Sequence, residues 1–266
     1  MGTRIILSTC IAILLARGQG HGPVSFEIAS IKRSGGGARR FVMDFLPGGR
    51  FHCSDVPIFA VLATAYNLPW QSVETLRMKG LPDWMLAEKY DIDATAGKGA
   101  LATNSGARTR NERIRLMLQS LFADRFKLKA HLELTEAPAY ALTVGAHGPR
   151  MENAKISEEE CAQSAPSGGI ACHQFQGGMG RGVRGDAVDM SDLALYVSNW
   201  SDRPLVDQTG LRGLYVVRTE GWSAGGDGPA QRTLDEILEP LGLKLVSKKA
   251  LVEVLVIEHV ERPSEN

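Results

Sequence analysis

The stretch Arg113-Ile-Arg-Leu-Met-Leu-Gln-Ser-Leu-Phe122, followed by Phe126-Lys-Leu-Lys-Ala-His-Leu132 and Ala139-Tyr-Ala-Leu-Thr-Val144, decides the fold. Its apolar residues first recur at helical spacing and then alternate, which predicts a helix, a polar break and two strands. The same order returns over 234–257, where a helical run from Leu234 precedes two more alternating runs. The chain therefore reads as an internal duplication, although two copies of a common unit can also arise by chance.

The predicted fold class is α+β, because helices are expected on one face of mainly antiparallel sheets. We expect two related halves of this kind, over residues 21–145 and 186–266. The segment 146–185 between them is rich in Gly and Ser and carries two cysteines, so it is predicted to be a linker. In the first half the clearest helix is expected over 111–124, after a polar linker from Gly97 to Arg110.

Composition excludes some partners. The 266 residues are 44% hydrophobic, which is ordinary for a protein with a buried core. Thirty basic residues balance thirty acidic ones, so the chain offers no overall field that attracts nucleic acid or an anionic membrane surface. Neither partner is expected.

The first twenty residues predict a secretory signal peptide. Arg4 supplies the positive end, Ile5 to Leu15 form an apolar run, and Gly18 and Gly20 are small residues at the cleavage positions. A membrane anchor is the alternative, but a run of about 11 apolar residues is short of the roughly 20 that span a bilayer. We therefore expect an exported protein, periplasmic or extracellular, without stable membrane insertion after cleavage.

Export permits disulfides, and Cys161 and Cys172 flank a Gly/Ser/Pro-rich loop that a disulfide could close. Cys53 lies in an alternating run and is interpreted as a small buried hydrophobic residue. A zinc site would need more ligands than His173 alone adds near these cysteines, so no metal is expected.

No local catalytic motif occurs in the sequence, and no cofactor is predicted. The pattern Gly180-Arg-Gly-Val-Arg-Gly185 has dinucleotide-site spacing, but no strand precedes it and no helix follows, so a flexible loop is expected. His131 and Glu133 share a strand face and are interpreted as its solvated side.

Two sets of residues remain as candidate sites. A hydrolase could assemble a carboxylate and histidine site from scattered residues. The residues considered for it are His52, Asp55, Asp91 and Asp93. A binding surface could instead use Trp70 and Trp84, which lie in a segment bounded by Pro and Gly, although core packing is the commoner fate of tryptophan.

Eight segments together resemble a large family of exported bacterial proteins of unknown function that is expanded in soil acidobacteria. These segments are Phe26–Lys32, Gly49–Pro57, Ala65–Leu68, Leu81–Trp84, Tyr90–Ala94, Leu121–Leu128, Val206–Tyr215 and Val254–Asn266. The resemblance covers nearly the whole chain after the signal peptide. It implies export, kinship with domains attached to membrane-bound sensor peptidases, and no established catalytic residues.

One position departs from the family. The usual family motif Gly-Arg-Tyr-Asp-Phe is replaced here by Gly213-Leu-Tyr-Val-Val217, which lacks the aspartate. A weaker resemblance links each half to the short N-terminal domain of secretins and TonB-dependent receptors, where a helix also precedes Gly-Leu and a strand, as at Leu241–Leu245. That resemblance implies a non-enzymatic interaction module.

The sequence thus favours a non-catalytic binding or interaction module whose partner is an unknown protein or small molecule. The alternative is an extracellular or periplasmic hydrolase with a carboxylate and histidine site. A third possibility, a structural envelope protein, predicts an exposed apolar patch or sheet edge instead of a pocket.

Overall fold

A computed structural model describes residues 24–35, 41–46, 48–70, 77–101, 107–163, 172–178, 180–221 and 234–263. The predicted signal peptide and most of the glycine-rich loop that closes between the two cysteines lie outside these residues. The α+β prediction is confirmed, because three sheets rich in antiparallel pairs pack with a few helices. No helix in the described ranges is long and apolar enough to cross a bilayer.

The described strands are β1 (Phe26–Arg33), β2 (Val42–Leu46), β3 (Arg50–Pro57), β4 (Met78–Lys79), β5 (Lys89–Ala96), β6 (Lys129–Val144), β7 (Glu152–Asn153), β8 (Gln176–Gly178), β9 (Gly182–Val188), β10 (Leu205–Asp207), β11 (Tyr215–Arg218) and β12 (Leu243–His259). The described α-helices are α1 (Ile58–Ala65), α2 (Asp83–Ala87), α3 (Ala107–Arg125), α4 (Glu158–Gln163), α5 (Met190–Val197) and α6 (Leu234–Leu238). Short 3₁₀ turns follow α5 over Ser198–Trp200 and α6 over Glu239–Leu241.

The first sheet has the strand order β1-β5-β3-β2, and the third has the order β7-β11-β9-β8. The second sheet, β10-β6-β12-β4, is built around the long antiparallel pair of β6 and β12. Its outer strands are short and parallel to their neighbours, β10 beside β6 and β4 beside β12. We call the β6–β12 pair the central ribbon.

The central ribbon corrects the prediction of two strands in each copy. β6 is one strand of 16 residues and β12 one of 17, and they pair from Lys129 opposite His259 to Val144 opposite Leu243. Much of the middle of the ribbon faces solvent, with Leu134 65% and Leu251 63% exposed. Polar residues are therefore tolerated in the middle of each strand. The alternation of apolar and polar residues is interrupted there, so the sequence pattern predicts two strands where the structure has one.

Each end of the central ribbon belongs to a different hydrophobic core. The first core is built by the first sheet, α1 and α3, and it includes Leu255 and Ile257 from the end of β12. The second core is built around α5 and α6, and it includes Leu142 from the end of β6. Helix followed by long strand recurs in α3–β6 and α6–β12, while the duplication itself stays a prediction.

The segment 146–185, predicted to be a linker, contains β7, α4, β8 and the start of β9. The expected flexible loop over 180–185 is wrong, because Gly182 to Gly185 pair in the third sheet. Glycine is needed there for close backbone approach, because a Cβ atom on Gly177 would overlap the carbonyl oxygen of Gly182. The pattern continues into strand β9 and not into a helix, which agrees with the rejection of a dinucleotide site.

The disulfide prediction is confirmed. Cys161 at α4 and Cys172 beside β9 are joined, with their Cα atoms 5.9 Å apart. Both cysteines are buried in a small cluster with Ala187 and Leu214. Cys53 is buried in the first core, and burial raises the pKa of its thiol to about 12, so it acts as a hydrophobic residue.

Candidate functional site

A cleft of about 620 Å³ lies between the first and second cores. The first-core side contributes Thr64, Asn67, Leu68, Trp70, Arg77, Arg108, Asn111, Glu112 and Arg115. The opposite side contributes His173, Phe175, Ser191, Asp192, Ala194, Leu195, Tyr196, Asn199, Leu205, Val206 and Asp207. Glu253 of the central ribbon completes the lining. The volume is in the range of small-molecule sites, which is about 300–1,000 Å³.

Helix periodicity places the polar residues of α3 in the cleft. Arg108, Asn111, Glu112 and Arg115 are spaced by three and four residues, so they share one face of the helix. The expected linker over 97–110 is therefore wrong in its last residues, because α3 begins at Ala107. Apolar periodicity starts only at Ile114 and hides the polar first turns from a search for hydrophobic patterns.

An ion-pair cluster joins the start of α3 to the start of α5. A guanidinium nitrogen of Arg108 lies 2.7 Å from a carboxylate oxygen of Asp189 and 3.3 Å from one of Asp192. Asp189 is the N-cap of α5 and forms a capping box with Asp192. This cluster fixes one end of the cleft.

His173 is the least exposed member of the cluster. Its Nδ1 lies 2.7 Å from Asp192 and its Nε2 lies 3.1 Å from Glu158, and the side chain is 5% exposed. Burial lowers the pKa of His173, but the hydrogen bond and charge of Asp192 outweigh it, so the net pKa lies above the ordinary value. When protonated, the ring donates from Nδ1 to Asp192, and its charge attracts the nearby Glu158 carboxylate.

The pKa of Asp192 moves the opposite way. Burial raises it, but hydrogen bonds from His173 and from the Asp189 backbone, with the positive charges of His173 and Arg108, lower it overall. His173, Asp189 and Asp192 have ligand atoms within 4.8 Å of one another, a spacing that can suit a metal. Arg108 already neutralises these carboxylates, and the capping box uses them as acceptors, so we interpret the cluster as a structural ion-pair network.

The raised pKa of His173 predicts a pH-dependent stability. Its stabilising contribution is complete below the unfolded pKa of about 6.5 and is lost as pH rises through the folded value. We expect the free energy of unfolding to fall with rising pH in this window, by at most about 1.4 kcal/mol per pH unit for one proton. Urea titrations at several pH values measure it.

The variants His173→Gln and Asp192→Asn should both lose this pH dependence, because each removes one partner of the charged pair. A slope above pH 6.5 that is the same in wild type and both variants contradicts the assignment.

Aromatic side chains line the cleft on both sides. Phe175 stacks on Tyr196 with ring centroids 4.9 Å apart. Across the cleft, Trp70 stacks on Phe41 at 5.0 Å, and its backbone N–H donates to Asn199 Oδ1 at 3.0 Å. The cleft therefore combines flat apolar surfaces with charged groups.

Of the two tryptophans chosen from sequence, the structure brings Trp70 to the cleft. Trp84 is placed elsewhere, partly buried against the first core with the Arg262 guanidinium 5.1 Å from its ring centroid. The two side chains do not form one surface. Sequence shows the aromatic residues but not which core each one covers.

The four residues of the hydrolase alternative lie on the first sheet, and they do not belong to the lining of this cleft. His52 Nδ1 lies 2.7 Å from Asp93 in an exposed pair. Asp91 accepts hydrogen bonds from Ser34, Ser54 and the backbone N–H of Asp55. The Asp55 carboxylate itself pairs with Lys89 at 2.8 Å. The structure thus joins one histidine to one carboxylate and leaves the other two in structural hydrogen bonds.

The other sequence candidates also have separate partners. His131 lies 2.9 Å from Glu258 across the central ribbon, whereas Glu133 is 3.8 Å from Lys79. Both are exposed, as expected for a solvated strand face.

Sequence reasoning missed the arginines of the cleft. Arg77 and Arg115 each have a buried Nε atom without a hydrogen-bond acceptor among the described residues. Burial lowers the pKa of both guanidinium groups, and Glu253 for Arg77 and Glu112 for Arg115 offset this only in part. The charged helix spacing of α3 is a signal in the sequence for Arg115, whereas Arg77 lies outside that helix.

The fold and site define an α+β protein with two cores that share a central ribbon and enclose a charged, aromatic cleft. The chain belongs to a protein family of unknown function, DUF3738, whose family model matches residues 60–260. Searches of the curated proteins and of the solved structures found no match.

Proposed function

We propose that this protein is an exported, non-catalytic binding module that holds a small polar molecule in the cleft between its cores. The cleft itself carries this proposal, since its size suits a small ligand and its walls combine aromatic surfaces with convergent polar groups. The predicted signal peptide and the disulfide support export.

The chemistry of the cleft favours binding over catalysis. His173 is the histidine that lines it, and both ring nitrogens already face carboxylates, so it is not free to act as a general base. The exposed pair of His52 and Asp93 lies outside the cleft and lacks the enclosed surroundings that strengthen catalytic charges. A hydrolase therefore remains the less supported proposal.

Filling the cleft tests its role. Ser191 is exposed on α5 and lines the cleft, so Ser191→Trp places a large ring inside it. Thr109→Trp is the control, because Thr109 is exposed on α3 and does not line the cleft. We expect a panel of amino acids, short peptides, sugars and nucleosides to contain ligands that raise the melting temperature of wild type and control but not of Ser191→Trp.

Two outcomes contradict the proposal. One is a panel in which no compound binds, or in which binding survives in Ser191→Trp. The other is turnover of an ester, glycoside or peptide substrate that is lost in Asp93→Asn, which supports the hydrolase instead.

A further inference from the structure

Several polar side chains of the cleft are accessible and make no hydrogen bond or salt bridge within the described residues. They are Asn67 after α1, Asn111 and Glu112 on α3, Ser191 on α5 and Glu253 on the central ribbon. Asn111 is half-buried, and the others are exposed. Amide and hydroxyl groups both donate and accept hydrogen bonds, whereas carboxylates accept them. This set of side chains therefore suits a ligand that carries several hydroxyl groups.

The charges that line the cleft are balanced. Each of its three arginines interacts with an acidic residue, and the pairs are Arg108 with Asp192, Arg115 with Glu112, and Arg77 with Glu253. Asp207 accepts hydrogen bonds from the backbone and side chain of Thr209. Because opposite charges lie beside one another, their attraction and repulsion of an ionic ligand nearly cancel. The cleft as a whole favours a neutral ligand.

Aromatic side chains give the cleft its apolar surface. Trp70, Phe175 and Tyr196 line it, and each residue is half-buried, so part of each side chain is accessible. The face of an aromatic ring is electron-rich and attracts the weakly positive hydrogens of C–H groups. A sugar ring has such C–H groups on its faces and hydroxyl groups around its rim. It therefore matches both kinds of surface in this cleft.

The aromatic and polar groups lie around one ion pair. Arg108 on α3 and Asp192 on α5 are 3.3 Å apart. Tyr196 lies one turn after Asp192 on α5, and Asn111 and Glu112 lie one turn after Arg108 on α3. Residues three or four apart on a helix are neighbours, with about 5–6 Å between their Cβ atoms. The Tyr196 ring and the free polar groups of α3 thus line the same part of the cleft.

We propose that the ligand is a neutral sugar, whose ring packs on the aromatic side chains and whose hydroxyl groups form hydrogen bonds with Asn111 and Glu112. This inference rests on the proposed function and specifies the ligand class of the same cleft. An amino acid fits less well, because it brings two charges into a cleft whose own charges are balanced. A nucleoside fits less well because only its ribose carries hydroxyl groups.

The first test uses glucose, N-acetylglucosamine, maltose, cellobiose and xylobiose as probes and saturation-transfer difference NMR as the readout. We expect at least one of these sugars to receive saturation at its ring C–H hydrogens. The charged counterparts of that sugar, with a carboxylate or an amino group in place of one hydroxyl group, should bind more weakly. Tighter binding of a charged counterpart overturns the neutral assignment. A panel in which no sugar binds overturns the inference altogether.

The second test places the sugar beside α3. Glu112→Gln and Asn111→Ala should weaken binding of the same sugar, and Glu112→Gln by about 10-fold or more, the effect of losing a charge-assisted hydrogen bond. Asp124→Asn is the control, because Asp124 is exposed on the same helix and does not line the cleft. It should leave the affinity unchanged in calorimetric titrations. Wild-type affinity in both cleft variants overturns the inference.

The variant Ser191→Trp distinguishes failure of this inference from failure of the proposed function. Amino acids, peptides or nucleosides that bind the wild type and not Ser191→Trp, in a protein that binds no sugar, overturn the inference alone. Sugar binding that Ser191→Trp leaves unchanged places the sugar outside the cleft and contradicts both proposals. Failure of every compound to bind contradicts both as well.

Discussion

Leu255→Ala is expected to lower the free energy of unfolding by about 3 kcal/mol, the usual cost of truncating a buried leucine. Leu255 is fully buried in the first core, although it lies near the end of β12. The substitution removes apolar contacts and leaves a cavity that close packing fills only in part. This loss is a large fraction of the roughly 5–15 kcal/mol that stabilises a typical domain.

Leu251→Ala is the matched control, because Leu251 is four residues away on the same strand and is 63% exposed. Its effect should stay within about 0.5 kcal/mol. Urea unfolding followed by tryptophan fluorescence and by circular dichroism measures both variants. Equal shifts in the two midpoints contradict the placement of the end of β12 in the first core.

Replacing both disulfide cysteines, Cys161→Ser with Cys172→Ser, is expected to lower stability by about 3 kcal/mol in the chain-entropy description of a loop of this size. Eleven positions separate the two cysteines, so the oxidised loop restricts the unfolded chain. His173 follows Cys172 directly and has a left-handed backbone with φ of 54°, which the fold must hold in place. Without the disulfide we expect the ion-pair cluster to loosen as well.

The measurement is urea unfolding of the wild type with and without dithiothreitol, beside the double variant. Reductant should lower the wild-type midpoint to that of the variant and leave the variant unchanged. The pH dependence ascribed to His173 should weaken in the same samples. A reduced wild type as stable as the oxidised protein rules out this contribution.

Local patterns predict the fold class and the disulfide, because each depends on residues close in sequence. The central ribbon was predicted as four strands, since its middle is solvent-exposed and needs no apolar alternation. Pairing over more than a hundred residues, such as Lys129 with His259, leaves no local signature. Sequence therefore indicates the elements but not that two of them connect both cores.

The candidate site was harder to predict than the fold. The Pro and Gly residues that bound its segment mark Trp70 as a candidate, and the structure brings it to the cleft together with Arg77 and Arg115. Those arginines look like ordinary surface charges in sequence, because only tertiary packing buries their Nε atoms. His52 and Asp93 do meet, but pairing between β3 and β5 brings them together on an exposed sheet face.

The central ribbon also determines when the first core can be completed during synthesis. β12 is the last of the described strands in chain order, and the first core lacks Leu255 and Ile257 until that strand has been made. A nascent chain that stops at β6 keeps one edge of its longest strand unpaired and its earliest core unfinished. The first core can therefore be completed only after β12 has been synthesised.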